Sequence, residues 1–279
     1  QALDETQVKG ITATQLKSLS STDMNRFVDT QIAALSLLQL AQVSAENLSA
    51  LDQTQTQALT TTQVKGLTAT QITGMGPPVT QLSETAIGSL SGAQLGGFDV
   101  TSLNSLNDTK FAAITSTQVK GLTATQIKGL ASGGALDRLA DTQIQGLSAL
   151  QVGAFSTTGF SQLSQTQVAA LNATQIKGIA PSQLQSLTVT DIGEFSTTQI
   201  RALTADQMKQ LSATNISALA DTQVAVLANT QIQALNATQL KGLSVTDIDE
   251  LSANQIGALS VLQIGALADT QVQELSTTQ

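Results

Sequence analysis

A large apolar residue returns at every eighth position of this chain. From Leu3 the series runs through Ile11, Leu19, Phe27, Leu35, Val43, Leu51, Leu59 and Leu67 to Met75. One seven-residue step then leads to Leu82, and the spacing of eight resumes through Leu90, Phe98, Leu106, Ile114, Leu122 and Leu130. A nine-residue step to Leu139 restores the original phase, which holds to Leu275. The consensus octad is Leu, Ser/Thr, any, Thr, Gln, Ile/Val, any, Ala/Gly, as in Leu122-Thr123-Ala124-Thr125-Gln126-Ile127-Lys128-Gly129. A fixed short period marks units that stack on their neighbours. Residues 1–279 therefore read as a single tandem octapeptide-repeat solenoid of about thirty-four units. The irregular units at 75–82, with Gly76-Pro77-Pro78, and at 130–139, with Ser132-Gly133-Gly134, are expected to be surface bulges or kinks.

One long helix is excluded, because a helix turns by 100° per residue and a period of eight would spread the leucines over every face. Within one octad, however, the pattern describes a helix start. Ser/Thr at position two is an N-cap, and Gln three residues later completes a capping box. Leu at position one and Ile/Val at position six then form the hydrophobic staple across that cap. Where position two is Ala or Val, Asp29, Asp141, Asn229 or Asp269 follows and is expected to cap one residue later. Pro181 falls on the first helical residue. Gly at position eight (Gly10, Gly66, Gly121, Gly129, Gly178, Gly242) predicts a left-handed terminator and also leaves room for close packing.

Charge placement tests this reading independently. Fifteen of the twenty acidic residues fall at positions two to five, and nine of the twelve basic residues at position seven. Acids at the start and bases at the end complement a helix dipole repeated in every octad. The expected fold is thus all-α, a solenoid of one- to two-turn helices, one per octad. Such short helices persist only by packing on one another. Two octads per coil would give sixteen residues per turn and three would give twenty-four; the pattern fits both. The alternative is a β-solenoid, favoured by Thr, Val and Ile and by Thr-x-Thr at Thr12/Thr14, Thr68/Thr70 and Thr123/Thr125. Positions one, six and eight do not alternate with period two, which argues against strands.

Composition removes several functions. The net charge of −8 opposes binding to nucleic acid or an anionic membrane, both of which need clustered Lys and Arg. No run of eighteen apolar residues is present, so no membrane insertion is expected. Without His or Cys the chain has no imidazole base, thiol nucleophile or common transition-metal ligand set. Catalytic, cofactor and metal sites are accordingly assigned to no residues, and no enzyme is expected. Asp4-Glu5 and Asp247-Asp249-Glu250 are the carboxylate groups to inspect, with calcium at Asp247 and Asp249 as the metal to consider. The sequons at Asn47, Asn107, Asn172, Asn215 and Asn236 follow from repeat composition.

Units such as Leu235-Asn236-Ala237-Thr238-Gln239-Leu240-Lys241-Gly242 resemble the Leu-Thr-x-x-Gln-Val octad arrays of large bacterial secreted and surface-associated proteins. That resemblance spans nearly the whole chain and implies an extracellular or cell-surface, adhesive or scaffolding role. Residues 122–134 also resemble the first helix and loop of a TAL-effector DNA-binding repeat, which we read as shared capping chemistry, since it occurs once in an acidic chain of period eight.

The expected function is a structural repeat protein, forming a rigid extracellular rod, filament or surface scaffold. The chain opens at octad position seven and closes at position five without a distinctive capping unit. The expected partner is therefore the chain itself, by end-to-end or lateral self-association, or a continuation of the array. The alternative is an adhesin or binding module, taking surface carbohydrate or, under the β reading, ice through Thr-x-Thr rows.

Overall fold

The computed structural model describes residues 3–275; the chain start at Gln1-Ala2 and the closing residues 276–279 lie outside the described residues. Among the described residues all regular structure is helical, in thirty-two short α-helices and two 3-10 helices. The β-solenoid alternative is overturned, because Thr at position two caps a helix that begins at the next residue instead of continuing a strand. In α8 (Thr61–Gly66) the preceding Thr60 is extended, at φ −70° and ψ 156°. Its N–H donates to Gln63 Oε1 at 2.8 Å, and its Oγ1 accepts from Gln63 N–H at 3.2 Å. The staple residues Leu59 and Val64 are both buried. Ser36/Gln39, Thr68/Gln71 and Ser196/Gln199 repeat this box.

Two local expectations are corrected. Where position two is apolar, the cap does not move to the next residue. Val28, Ala220, Ala228 and Ala268 remain the N-caps without a side-chain bond, and Asp29 Oδ1 instead accepts from Thr30 N–H at 2.8 Å. The Gln amide supplies the reason: Gln31 Oε1 still accepts from Val28 N–H at 2.9 Å, so half of the box holds the register. Nor does position-eight glycine adopt a left-handed conformation. Gly10 lies at φ −81°, and the described residues with positive φ are Gly76 (58°) and Gly134 (67°). The terminator is instead the extended residue at position one of the next octad, such as Leu35 at φ −61° and ψ 130°.

Some position-eight glycines are required by packing against backbone. A Cβ at Gly121 would strike the backbone of Gly92, and one at Gly178 the backbone of Ala149. These contacts show the coil. α4 (Asp29–Ala34) packs on α1 (Glu5–Lys9), α5 (Leu37–Leu40) on α2 (Ala13–Lys17), and α6 (Ala45–Ser49) on α3 (Ser21–Met24). Each helix thus stacks on the third one before it, so a coil contains three octads. Position-one and position-six side chains from the three sides fill the interior: Ile32, Leu40 and Leu48 are all fully buried.

The chain divides into two compact units, 1–146 and 147–279, each a solenoid of this construction. Both irregular units lie in the first. They continue the coil through 3-10 turns instead of bulging out of it. After α9 (Ala69–Met75), Gly76 turns the chain into a 3-10 helix at Pro77–Gln81, which keeps Val79 and Leu82 in the core. After α15 (Ala124–Ser132), Gly134 does the same for the 3-10 helix Leu136–Arg138, with Leu136 buried. Both glycines occupy backbone conformations that L-residues rarely adopt.

Candidate functional site

The most regular chemical feature is a ladder of buried amides at position five. Gln183 is 0% exposed and Gln63 is 3% exposed, although burying an unsatisfied amide is costly. Each amide is satisfied from both ends. Gln63 Oε1 completes the capping box, while its Nε2 donates to Ile32 O at 2.9 Å and Leu35 O at 2.8 Å. Gln239 likewise donates to Met208 O and Leu211 O, both at 2.8 Å. The acceptors lie 31 and 28 residues earlier, where one helix ends and the next octad begins in the preceding coil. The seven-residue step shortens these separations to 30 and 27 at Gln94, and the nine-residue step lengthens them to 32 and 29 at Gln143.

Substitutes appear where Gln is absent. Asn47 and Asn215, one methylene shorter, reach one carbonyl each, Leu19 O at 2.9 Å and Leu187 O at 3.0 Å. Lys110 Nζ donates to Thr80 O at 2.7 Å. In the nine-residue unit Arg138 donates to Leu106 O at 2.5 Å, pairs with Asp108 at 2.9 Å, and lies 4.5 Å from the Phe111 ring centroid. The sequence offered no signal for Arg138, because its partners depend on the coil and not on the octad.

The carboxylates singled out earlier belong to different elements. Asp4 caps α1, accepting from Gln7 N–H at 2.8 Å, and Glu5 lies in the first turn. Asp247 occupies the ladder position of α29 (Val245–Glu250) and accepts from Ser244 N–H at 2.6 Å. Glu250, at the end of the same helix, is held above the usual carboxyl range first by burial and then by a hydrogen bond with Asp221. Glu194 is raised by burial and by the charge of Asp191. Asp23 is lowered mainly by the Ser20 hydroxyl, and Asp206 by its hydrogen bond from Lys209. No group of three or more potential metal-binding side chains converges among the described residues.

The Thr-x-Thr pairs do not form flat rows. Position-two hydroxyls are engaged in capping, whereas position-four residues such as Thr62 and Thr125 project outward. Two sequon asparagines, Asn47 and Asn215, are buried ladder members, and the other three, Asn107, Asn172 and Asn236, cap helices. No described helix is long and apolar enough to cross a membrane.

The outward position four also carries apolar exceptions. Leu38, Leu150 and Leu262 are 82%, 87% and 86% exposed. They sit in the related octads Leu35-Ser36-Leu37-Leu38-Gln39, Leu147-Ser148-Ala149-Leu150-Gln151 and Leu259-Ser260-Val261-Leu262-Gln263. From Leu38 to Leu150 and from Leu150 to Leu262 the separation is 112 residues. Comparison with known protein families and with curated proteins finds no match to this chain.

Proposed function

We propose that this chain is a structural scaffold protein of the cell surface or extracellular space, which associates side by side with copies of itself. The observation that carries the reading is the recurrence of Leu38, Leu150 and Leu262 at one sequence interval, each projecting into solvent. Their position contributes nothing to the coil's interior, and most octads place Thr there. The interval is fourteen octads, not a whole number of three-octad coils, so within 147–279 Leu150 and Leu262 project from different sides of the coil and would meet different neighbours. A partner able to engage both must present sites with the same periodicity. The chain itself has that period. Single exposed leucines are ordinary on protein surfaces, so the weight falls on the recurrence.

The rest of the chemistry is consistent with a structural role. Position-two Ser and Thr and position-five Gln side chains are engaged in caps and in the amide ladder, Asp4 is a cap, and Asp247 is a ladder member. The reading is accordingly non-catalytic. Sedimentation over a wide concentration range tests it. The wild-type chain should associate as concentration rises, and replacing Leu38, Leu150 and Leu262 by Thr should shift association to higher concentration. A wild-type protein that stays monomeric throughout, or a triple variant that associates equally well, would overturn it.

A further inference from the structure

We propose that the junction between α26 (Asp221–Val224) and α29 (Val245–Glu250) is an acid-closed latch: one proton shared by Glu250 and Asp221 holds the helices together, and its loss loosens them. The register makes the site unusual. Position eight of an octad packs against position three of the octad one coil earlier, as Gly121 does on Gly92, Gly146 on Ser116, Gly178 on Ala149 and Gly242 on Ala213. Small residues permit that approach. At this junction position eight is Glu250 and position three is Asp221, and α29 packs on α26.

That register sets the Glu250 and Asp221 carboxyl groups against each other, and Glu250 Oε2 is closed off from solvent without a hydrogen-bond partner. Ionised carboxylates are acceptors only, so a bond between them requires a proton. The amide rung that braces other junctions is also altered here. Asp247 stands in place of Gln and, when ionised, has no hydrogen to donate to the preceding coil.

The surrounding charges favour retention of the proton. Asp221 faces Glu250 from α26, and Asp247 and Asp249 act on it from α29 itself. α32 (Asp269–Gln273), which also packs on α29, carries Asp269 and no base. α23 (Thr197–Ala202), packed on α26, carries Arg201, which lines a groove with Asn229, Ser252 and Asn254. Burial and this acidic neighbourhood hold Glu250 above the usual carboxyl range. For an acid raised in the folded state, the stabilising contribution is present at low pH and is lost as pH rises through the raised value. The array is therefore tightest at this junction in acidic surroundings.

Hydrogen exchange read by mass spectrometry, on the full chain from about pH 4.5 to about pH 7.5, tests the latch. The wild type is compared at each pH with Glu250→Gln, whose amide donates to Asp221 without a titrating proton; intrinsic exchange rates then cancel. The expected result is equal protection of peptides covering α26 and α29 at the acid end, with the wild type falling several-fold behind at the neutral end. A wild-type to variant ratio that stays constant with pH would overturn the proposal. Glu250→Ala, which restores the usual small residue, guards against misfolding of the amide variant. In it the pH-dependent loss of protection should disappear, and its persistence would count equally against the latch.

Discussion

The side chain of Gln63 donates to the carbonyl of Leu35, twenty-eight residues earlier, at 2.8 Å, while its oxygen accepts from the Thr60 N–H three residues before it at 2.8 Å. A single amide therefore both starts a helix and fastens it to the coil below. This dual role explains why Gln dominates position five where Glu, an equally good capping-box acceptor, would not serve.

Exchanging that amide for a carboxylate separates the two roles. Gln63→Glu keeps the cap but directs an acceptor at the carbonyls of Ile32 and Leu35. Leaving such buried groups unsatisfied should lower the local opening free energy by about 3 kcal/mol. Gln63→Asn should cost less, since Asn47 in an equivalent place still reaches Leu19 O. Hydrogen exchange of amides in α5 and α8 reads both values; a Glu variant as protected as wild type would refute the ladder's role.

Two glycines should respond oppositely to the same change. Gly121→Ala drives a methyl into the Gly92 backbone and should destabilise by about 1–3 kcal/mol. Gly193→Ala, where a Cβ meets nothing within 4 Å, should stabilise its helix by about 0.5–1 kcal/mol through reduced backbone entropy of the unfolded chain. Paired denaturation midpoints measure the difference, and equal effects at the two sites would contradict the packing described.

Arg138 substitutes for a missing rung. Arg138→Ala should destabilise the first unit by about 1–3 kcal/mol, because Leu106 O loses its donor and Asp108 its partner. Arg138→Lys should recover only part of this, since an ammonium cannot reproduce the planar fork. Thermal unfolding of the three proteins should rank them wild type, Lys variant, Ala variant; an Ala variant as stable as wild type would exclude the bracing role.

Much of this was legible from the octad. Ser/Thr at position two, Gln at five and the charge bias fixed one helix per repeat, and Leu and Ile/Val marked the interior. The number of octads per coil was not legible, because two or three would bury the same residues. For the same reason the outer half of the Gln amide had no visible partner: Leu35 becomes a neighbour of Gln63 only after the coil closes. The left-handed glycine was misread because the same small residue serves terminators and tight packing, and distinguishing them needs the neighbouring coil. Asp29 was misplaced as a cap because the Gln31 bond to Val28 already sets the helix start.

Titration should also carry opposite signs at two further acids. Glu194 is raised by burial and Asp191, so its contribution is present at low pH and lost as pH rises through its folded value. Asp206 is lowered by Lys209, so its contribution is present above the unfolded value and lost as pH falls through the folded one. Carboxyl titration by NMR should place Glu194 above and Asp206 below ordinary carboxyls, and coincident midpoints would contradict both environments.

The most direct measurement is solvent exchange of the glutamine side-chain amides themselves, by NMR on protein labelled at those nitrogens. Position-five amides such as Gln63, Gln183 and Gln239, bonded to carbonyls of the preceding coil, should exchange far more slowly than the exposed Gln53 and Gln57. Uniformly fast exchange at all of them would contradict a three-octad coil fastened by its amides.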